Sequence, residues 1–168
     1  MTVGIRPATP ADHQAIEQVE NDADQLLIDR FSPARWEPAP TGASRAAEPG
    51  FLLVLEGGEQ QGVIGFVHVI THGPLAHLEQ LAVRVDHGRR GHGGRLVDAA
   101  KVEARNRGHR TLTLRTYADI PWNAPFYAKR GFVEVESRTE FHRELAAVEE
   151  RLGLPAWGRR MLMEAVLR

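Results

Sequence analysis

The sequence predicts an α/β fold, with a single sheet of mixed strand direction flanked by helices. Three observations lead there. Short β-branched or alternating runs interleave with stretches of helical period across the whole chain. Two of those runs are joined by the tight turn Glu56-Gly57-Gly58-Glu59, which makes them a hairpin and therefore antiparallel. A glycine- and arginine-rich turn, Gly88 to Arg95, stands between a strand pattern and a helix pattern.

The elements follow in order. Val3 to Arg6 is a short apolar strand ending at Pro7. Thr9, Pro10 and Asp12 supply a hydroxyl cap, a proline at the first helical position and an acid in the first turn. Ile16, Val19, Ala23, Leu26 and Leu27 recur at helical spacing, so that helix runs to about Ile28. Prolines and weak periodicity from Phe31 to Gly50 predict a long loop with one short helix. Phe51 to Leu55 and Val63 to Ile70 form the hairpin, and His77 to Val83 is a further strand after the His72-Gly73-Pro74 break. Arg95 to Arg107 is a helix stopped by Gly108, with Leu96, Ala100 and Ala104 on one face and Glu103 and Arg107 at i,i+4. Thr111 to Tyr117 alternates as a strand. Trp122 to Arg130 is a short helix ended by Gly131, and Phe132 to Val135 opens another strand. Arg143 to Leu152 is a charged helix striped by Leu145, Val148 and Leu152, and Arg160 to Leu167 is the last strand. That strand is apolar enough to pair across a homodimer, and an ordinary sheet position explains it equally well.

Composition bounds the function. The chain has 168 residues, which predicts one domain over 1–168 with a core of its own. Twenty-one basic residues balance 22 acidic ones, so bulk charge points to neither nucleic acid nor an anionic membrane as partner. There is no cysteine, which excludes disulfides, thiolate metal sites and cysteine nucleophiles. The N-terminus lacks the apolar region of a signal peptide and no long apolar run spans a membrane, so a cytoplasmic protein is expected. His68, His72, His77 and His87 match no zinc spacing and no carboxylate set accompanies them, so no metal is expected.

The Gly88 to Arg95 turn carries the chemistry. Gly88, Gly91, Gly93 and Gly94 let the backbone approach a ligand closely. The helix that follows offers unpaired N–H groups and the positive end of its dipole, and Arg89, Arg90 and Arg95 add formal charge. These features suit a pyrophosphate. Gly94-Arg95-Leu96 lacks the Lys and hydroxyl of a P-loop, and Leu96 stands where a dinucleotide fingerprint started from Gly91 needs glycine.

Leu78-Glu79-Gln80-Leu81-Ala82-Val83, the Arg89-Arg90-Gly91-His92-Gly93 turn and the Leu96-Val97 helix together resemble the acetyl-CoA-binding core of the GCN5-related N-acetyltransferase (GNAT) superfamily. Asn123-Ala124-Pro125-Phe126-Tyr127-Ala128-Lys129-Arg130-Gly131-Phe132 resembles that superfamily's next signature. The element order fits along essentially the whole chain. The resemblance implies a mostly antiparallel sheet of about seven strands, splayed between the strands at 77–83 and 111–117, with acetyl-CoA as co-substrate. It implies cofactor contacts from Leu81, Ala82, Val83, Gly88, Arg89, Arg90, Gly91, His92, Gly93, Gly94, Arg95, Thr116, Asn123, Phe126 and Tyr127. The superfamily's turn begins with Gln or Arg where this chain has Gly88, so Arg89 or Arg90 is expected to supply that charge.

Transfer of an acyl group from a thioester to an amine needs a base for an ammonium of pKa about 10.4, oxyanion stabilisation, and an acid for the leaving thiolate. The resemblance gives the acid to Tyr127, whose other reading is an ordinary half-buried aromatic. It gives the base to Glu79, which otherwise only orients the amine or pairs with a cation. Period-two alternation puts Glu79, Leu81 and Val83 on one face of their strand. His77 and His68 are alternative bases, each also explicable as a satisfied strand histidine. The oxyanion donor is expected among the backbone N–H groups of Leu81 to Val83. The acceptor is expected over the first helix and its loop, where Glu17, Glu20, Asp22, Asp24 and Asp29 accompany Phe31 and Trp36. Such a mouth suits a small-molecule amine, and the same acids also fit the wet face of an amphipathic helix. A protein N-acetyltransferase and a non-catalytic acyl-CoA-binding domain are the alternatives.

Overall fold

The computed structural model describes residues 4–168, so Val3 of the first predicted strand lies outside the described residues. The strands form a seven-stranded sheet in the order β1-β2-β3-β4-β5-β7-β6, mixed but mostly antiparallel. They are β1 (Gly4–Pro7), β2 (Gly50–Glu56), β3 (Val63–His72), β4 (Leu75–Val83), β5 (Thr111–Tyr117), β6 (Val133–Val135) and β7 (Arg160–Val166). Five α-helices accompany them: α1 (His13–Phe31), α2 (Gly42–Ala47), α3 (His92–Asn106), α4 (Ala124–Ala128) and α5 (Glu140–Arg151). The chain divides into two compact units, residues 1–70 with 78–101 and residues 71–77 with 102–168.

The first unit is built on the predicted hairpin. β2 and β3 pair antiparallel, with Leu52 opposite His68 and Val54 opposite Phe66. That face meets α1, and Ile16, Val19, Leu52, Val54, Phe66 and Ala82 form a buried cluster. Burying each such side chain contributes roughly 1.5–3 kcal/mol, which fixes α1 on this face far more firmly than helix propensity could. On the opposite face Gly65 is hemmed in: an added Cβ would lie 3.1 Å from the Ala82 carbonyl and 3.1 Å from Leu96 Cδ1 of α3. β1 extends the sheet beyond β2, and Arg6 on it clamps Asp12 at 2.7 and 3.0 Å. Asp12 also accepts from the N–H of Thr9 at 2.8 Å, so the predicted helix start is realised as a short 3₁₀ turn, Pro10–Asp12, leading into α1. The helix runs on to Phe31, three residues past the predicted Ile28, and stops at Ser32 in the left-handed conformation.

The second unit is organised around β7. It pairs antiparallel with β5 on one edge, Tyr117 opposite Arg160, and with β6 on the other, Val135 opposite Leu162. Both edges of β7 are therefore used within the chain, and its backbone is not offered to a second copy. α5 begins at Glu140, earlier than its apolar stripe suggested, because the Thr139 hydroxyl caps it by accepting from the N–H of His142 at 3.1 Å. Glu149 of α5 then receives Arg115 of β5 at 3.0 Å and Arg160 of β7 through two bonds at 2.9 Å. Arg160 also lies over the ring of Tyr117, 4.4 Å from its centre.

Candidate active site

The Gly88 to Arg95 turn keeps its place, but the helix begins earlier than the glycine content implies. α3 starts at His92, so Gly93, Gly94 and Arg95 form its first turn rather than a preceding loop. The first helical bond, Arg95 N–H to the Gly91 carbonyl at 3.1 Å, sets this boundary. Low glycine propensity is overridden because Leu96, Val97, Ala100 and Ala104 are fully buried and pull the helix into place. Upstream, the Gly88 N–H closes on the Val85 carbonyl at 3.1 Å. Arg89 (φ 59°) and Gly91 (φ 81°) are both left-handed. At Arg89 this conformation is costly for a side-chain-bearing residue. Alternation of this kind turns successive N–H groups toward one concavity, which favours anions.

Arg89, Arg90, Gly91 and Arg95 are exposed, while Nδ1 of His92 is buried and has no hydrogen-bond partner among the described residues. Burial and the charges of Arg95, His87 and Arg90 hold the His92 ring below its ordinary pKa. An anion at the start of α3 would answer this orphan atom, the positive end of the helix and the surrounding positive charge together. An added Cβ at Gly91 would meet nothing within 4 Å, so the turn is open. The residues present fit the pyrophosphate of an acyl-CoA. When bound there, that molecule would supply the activated acyl group as a thioester.

The first unit also carries the base candidate. Glu79 is exposed on β4. Ala76, His77 and Leu78 of β4 are all buried in succession, so both faces of the strand are covered there, whereas Glu79 is open to solvent. His68, one of the alternative bases, faces Arg45, whose Nη1 lies 3.1 Å from His68 Nδ1. Burial and that guanidinium push the imidazole down to about 4, so it is neutral near pH 7.

The expected acidic mouth separates into different roles. Asp22 accepts from the N–H of Val85 at 2.7 Å, clamping the chain just after β4. Asp24 accepts from Trp36 Nε1 at 3.1 Å, and Asn21 accepts from the N–H of Ala39 at 2.9 Å, so the loop after α1 is tied back onto the helix. Asp29 accepts from Gln25 at 2.6 Å on the exposed side. Glu17 is half-buried, whereas Glu20 is 2% exposed and pairs with Arg45.

Leu81 and Val83 lie on β4 in the first unit, both half-buried, whereas Thr116, Asn123, Phe126 and Tyr127 lie in the second. Asn123 Oδ1 accepts from the Thr116 hydroxyl at 2.7 Å and from the N–H of Tyr117 at 3.4 Å. Two residues predicted from separate motifs thus meet, and their bond fixes the start of α4 against β5. α4 is shorter than predicted, because Asn123 and Trp122 precede it and Lys129 already leaves it. Tyr127 is buried between edge-on rings of Phe126 (5.0 Å) and Phe132 (5.7 Å). Burial raises its hydroxyl pKa, with Arg160 opposing, so Tyr127 stays protonated at any working pH and can donate but not accept a proton.

His77, the other alternative base, belongs to a buried chain. Its Nδ1 lies 2.9 Å from the Thr113 hydroxyl, which lies 3.1 Å from His142 Nε2, and His142 Nδ1 lies 2.8 Å from the Thr139 hydroxyl. Burial, then His142 and Arg115, push His77 down to about 3, which removes it as a base near neutral pH. Thr113, His142 and Arg45 carried no local signal: each acquires its role from partners more than twenty residues away. Among the described residues no group of three or more His, Asp or Glu is placed to hold a metal ion, and no helix is long and apolar enough to cross a membrane.

Comparison with known proteins bears on the fold and the family. The ribosomal-protein-S18-alanine N-acetyltransferase from Escherichia coli superposes with a TM-score of 0.70 at 20% identity, over 99% of this chain and 94% of that one. The PaiA N-acetyltransferase from Thermoplasma acidophilum, in complex with coenzyme A, gives 0.71 at 14% identity over 99% of both chains. The N-acetylglutamate synthase from Neisseria gonorrhoeae, complexed with coenzyme A and N-acetyl-glutamate, gives 0.72 at 18% identity, and all of this chain spans 36% of that longer one. At these identities the likeness establishes the fold. The profile of the acetyltransferase (GNAT) family matches residues 14–132, more than half of the sequence. The chain belongs to the GNAT acetyltransferase family.

Proposed function

We propose that this protein transfers an acetyl group from acetyl-CoA to a primary amine of a small molecule, by direct attack with both substrates bound, in the cytoplasm. The observation that carries the reading is the start of α3. There the left-handed Arg89 and Gly91, the buried His92 Nδ1 that has no hydrogen-bond partner among the described residues, and the positive end of the helix form an anion cradle in a GNAT chain. In this reading Tyr127 is the acid and Glu79 the base or the group that orients the amine. Tyr127 carries its proton near neutral pH, as the first role requires of a donor to the thiolate, and burial makes it a weaker acid than a free tyrosine. A small acceptor is supported by the loop at 32–41, which Asp24 and Asn21 hold down against α1. A protein or peptide amine is the second reading; the Escherichia coli structure, named for alanine of ribosomal protein S18, is its reference point.

The test is release of free thiol from acetyl-CoA in the presence of a panel of amines and short peptides. Turnover with a small amine is expected, with Tyr127→Phe lowering kcat by about 100-fold or more while acetyl-CoA still raises the melting temperature. Turnover with peptides alone would replace the small-molecule reading. Binding of acetyl-CoA without turnover on any amine or peptide would overturn the enzyme.

A further inference from the structure

The chain enters the left-handed turn through a short segment that has little to hold it. It leaves the sheet at Arg84, whose N–H donates to the Ile64 carbonyl of β3 at 2.9 Å. It then makes one turn of 3₁₀ helix, Val85–His87, and passes through Gly88 to the left-handed Arg89 and Gly91. Two backbone bonds close that 3₁₀ turn: His87 N–H to the Arg84 carbonyl at 2.9 Å, and Gly88 N–H to the Val85 carbonyl at 3.1 Å. Bonds of this spacing have poorer geometry than those of an α-helix. Arg84 stands at the N-cap position, but its side chain makes no capping bond. The Asp86 carboxylate is engaged by His87 Nδ1 at 2.9 Å and Arg84 Nε at 3.5 Å. Val85 is 43% exposed, so apolar burial contributes little.

The missing support comes from α1. Asp22 Oδ2 accepts from the Val85 N–H at 2.7 Å, across 63 residues of chain. Val85 is the first residue of the 3₁₀ turn, and its N–H is one of the donors that a helix start leaves open. The bond is short and its acceptor is a carboxylate, the stronger class of hydrogen bond. Asn21 and Asp24, on the same turn of α1, accept from the Ala39 N–H and from Trp36 Nε1 in the loop at 32–41. One turn of α1 therefore supports both the entry to the left-handed turn and the loop expected at the acceptor.

We propose that Asp22 is a positioning residue for acyl-CoA binding: by fixing Val85 it sets the path of the chain into Arg89 and Gly91, and it ties that turn to the helix carrying the acceptor loop. The inference rests on the acyl-CoA reading above. It predicts a sign that charge alone does not. An acid near a pyrophosphate repels it, so on charge alone the removal of Asp22 would tighten binding. Positioning predicts the reverse. Without the bond the turn spends less time in its binding conformation, and the apparent affinity falls in proportion.

The experiment is calorimetric titration of acetyl-CoA into the wild type, Asp22→Ala, Asp22→Asn and Asp24→Ala. Alanine is a better helix former than aspartate, so α1 itself survives the substitutions. Asp22→Ala should raise Kd by about 5- to 30-fold, as the loss of a cap would. Asp22→Asn keeps a carbonyl oxygen for Val85 and should stay within about twofold of the wild type. Asp24→Ala removes the same charge two positions away without touching Val85, and should also stay within about twofold. Unchanged or tighter binding to Asp22→Ala, or an equal loss in Asp24→Ala, would overturn the role. Amide hydrogen exchange followed by NMR reads the bond with no ligand present. The Val85 amide should exchange at least about tenfold faster in Asp22→Ala than in the wild type, with the Arg84 amide unchanged. Equal exchange of Val85 in the two proteins would refute the proposal. Failure of the wild type to bind acetyl-CoA would sink the acyl-CoA reading, and this role with it. The exchange data tell that failure apart from a wrong assignment of the Asp22 bond.

Discussion

Replacement of Glu149 by Gln removes one negative charge and no volume, at the point where α5 is fastened to β5 and β7. Glu149 accepts from Arg115 Nε at 3.0 Å and from Arg160 Nε and Nη2 at 2.9 Å each. The side chains involved are 12%, 11% and 14% exposed, so water replaces little of what is lost. Breaking a buried ion pair by removing one partner costs about 3–5 kcal/mol. The amide keeps one accepting oxygen but turns an NH₂ toward a guanidinium, which places the cost near 3 kcal/mol. For a chain of this size each kcal/mol lowers the melting temperature by roughly 2–4 °C, so a fall of about 6–12 °C is expected at pH 7. Burial works to raise the Glu149 carboxyl, but the hydrogen bonds and charges of Arg160 and Arg115 outweigh it and hold the group below the usual carboxylate range. A carboxyl depressed in the folded state contributes its stability above its unfolded pKa, about 4.3, and loses it as pH falls through the folded value. The gap between wild type and Glu149→Gln should therefore be full at pH 7 and shrink on titration below about pH 4. Melts followed by circular dichroism at pH 7 and 3.5 read both effects. A shift under 2 °C at pH 7, or a gap that widens in acid, would refute the assignment of this network as the α5 anchor.

Two other substitutions probe how the site is positioned. An added Cβ at Gly42 would lie 2.3 Å from the His13 carbonyl oxygen, so Gly42→Ala should loosen the seat of α2 on α1 and cost about 1–3 kcal/mol in urea unfolding. Thr113→Val leaves His77 Nδ1 and His142 Nε2 buried without their shared hydroxyl; a loss of about 1–3 kcal/mol is expected, with acetyl-CoA affinity unchanged.

What was legible in the sequence was what local chemistry decides. The break after Glu56, which runs on to Gly62, the helix start at Thr9 to Asp12, where Asp12 rather than the Thr9 hydroxyl makes the bond, and the glycine turn ahead of α3 sit close to where the residues place them, because each conformation is set by neighbours in the chain. α3 starts at His92, ahead of the expected Arg95, because four fully buried apolar side chains outweigh the low helix propensity of Gly93 and Gly94. On β4 three successive residues, Ala76 to Leu78, are buried, so burial there does not mark out one face. The acids of α1 looked alike in sequence, yet one clamps backbone, one holds an indole and one is buried against Arg45. Only partners far along the chain distinguish them. Arg45 itself lies in a stretch without periodicity and gave no warning of its burial.

The central claim is that the left-handed turn at the start of α3 holds the pyrophosphate of an acyl-CoA, and isothermal titration of acetyl-CoA into the wild type and Gly93→Glu tests it most directly. Gly93 is the second residue of α3, so the substitution sets a carboxylate beside the amides that the phosphates would need. Saturable one-to-one binding to the wild type is predicted, with no detectable binding to a Gly93→Glu protein that still melts cooperatively. Equal affinity in the two proteins, or no binding to the wild type, would contradict the account.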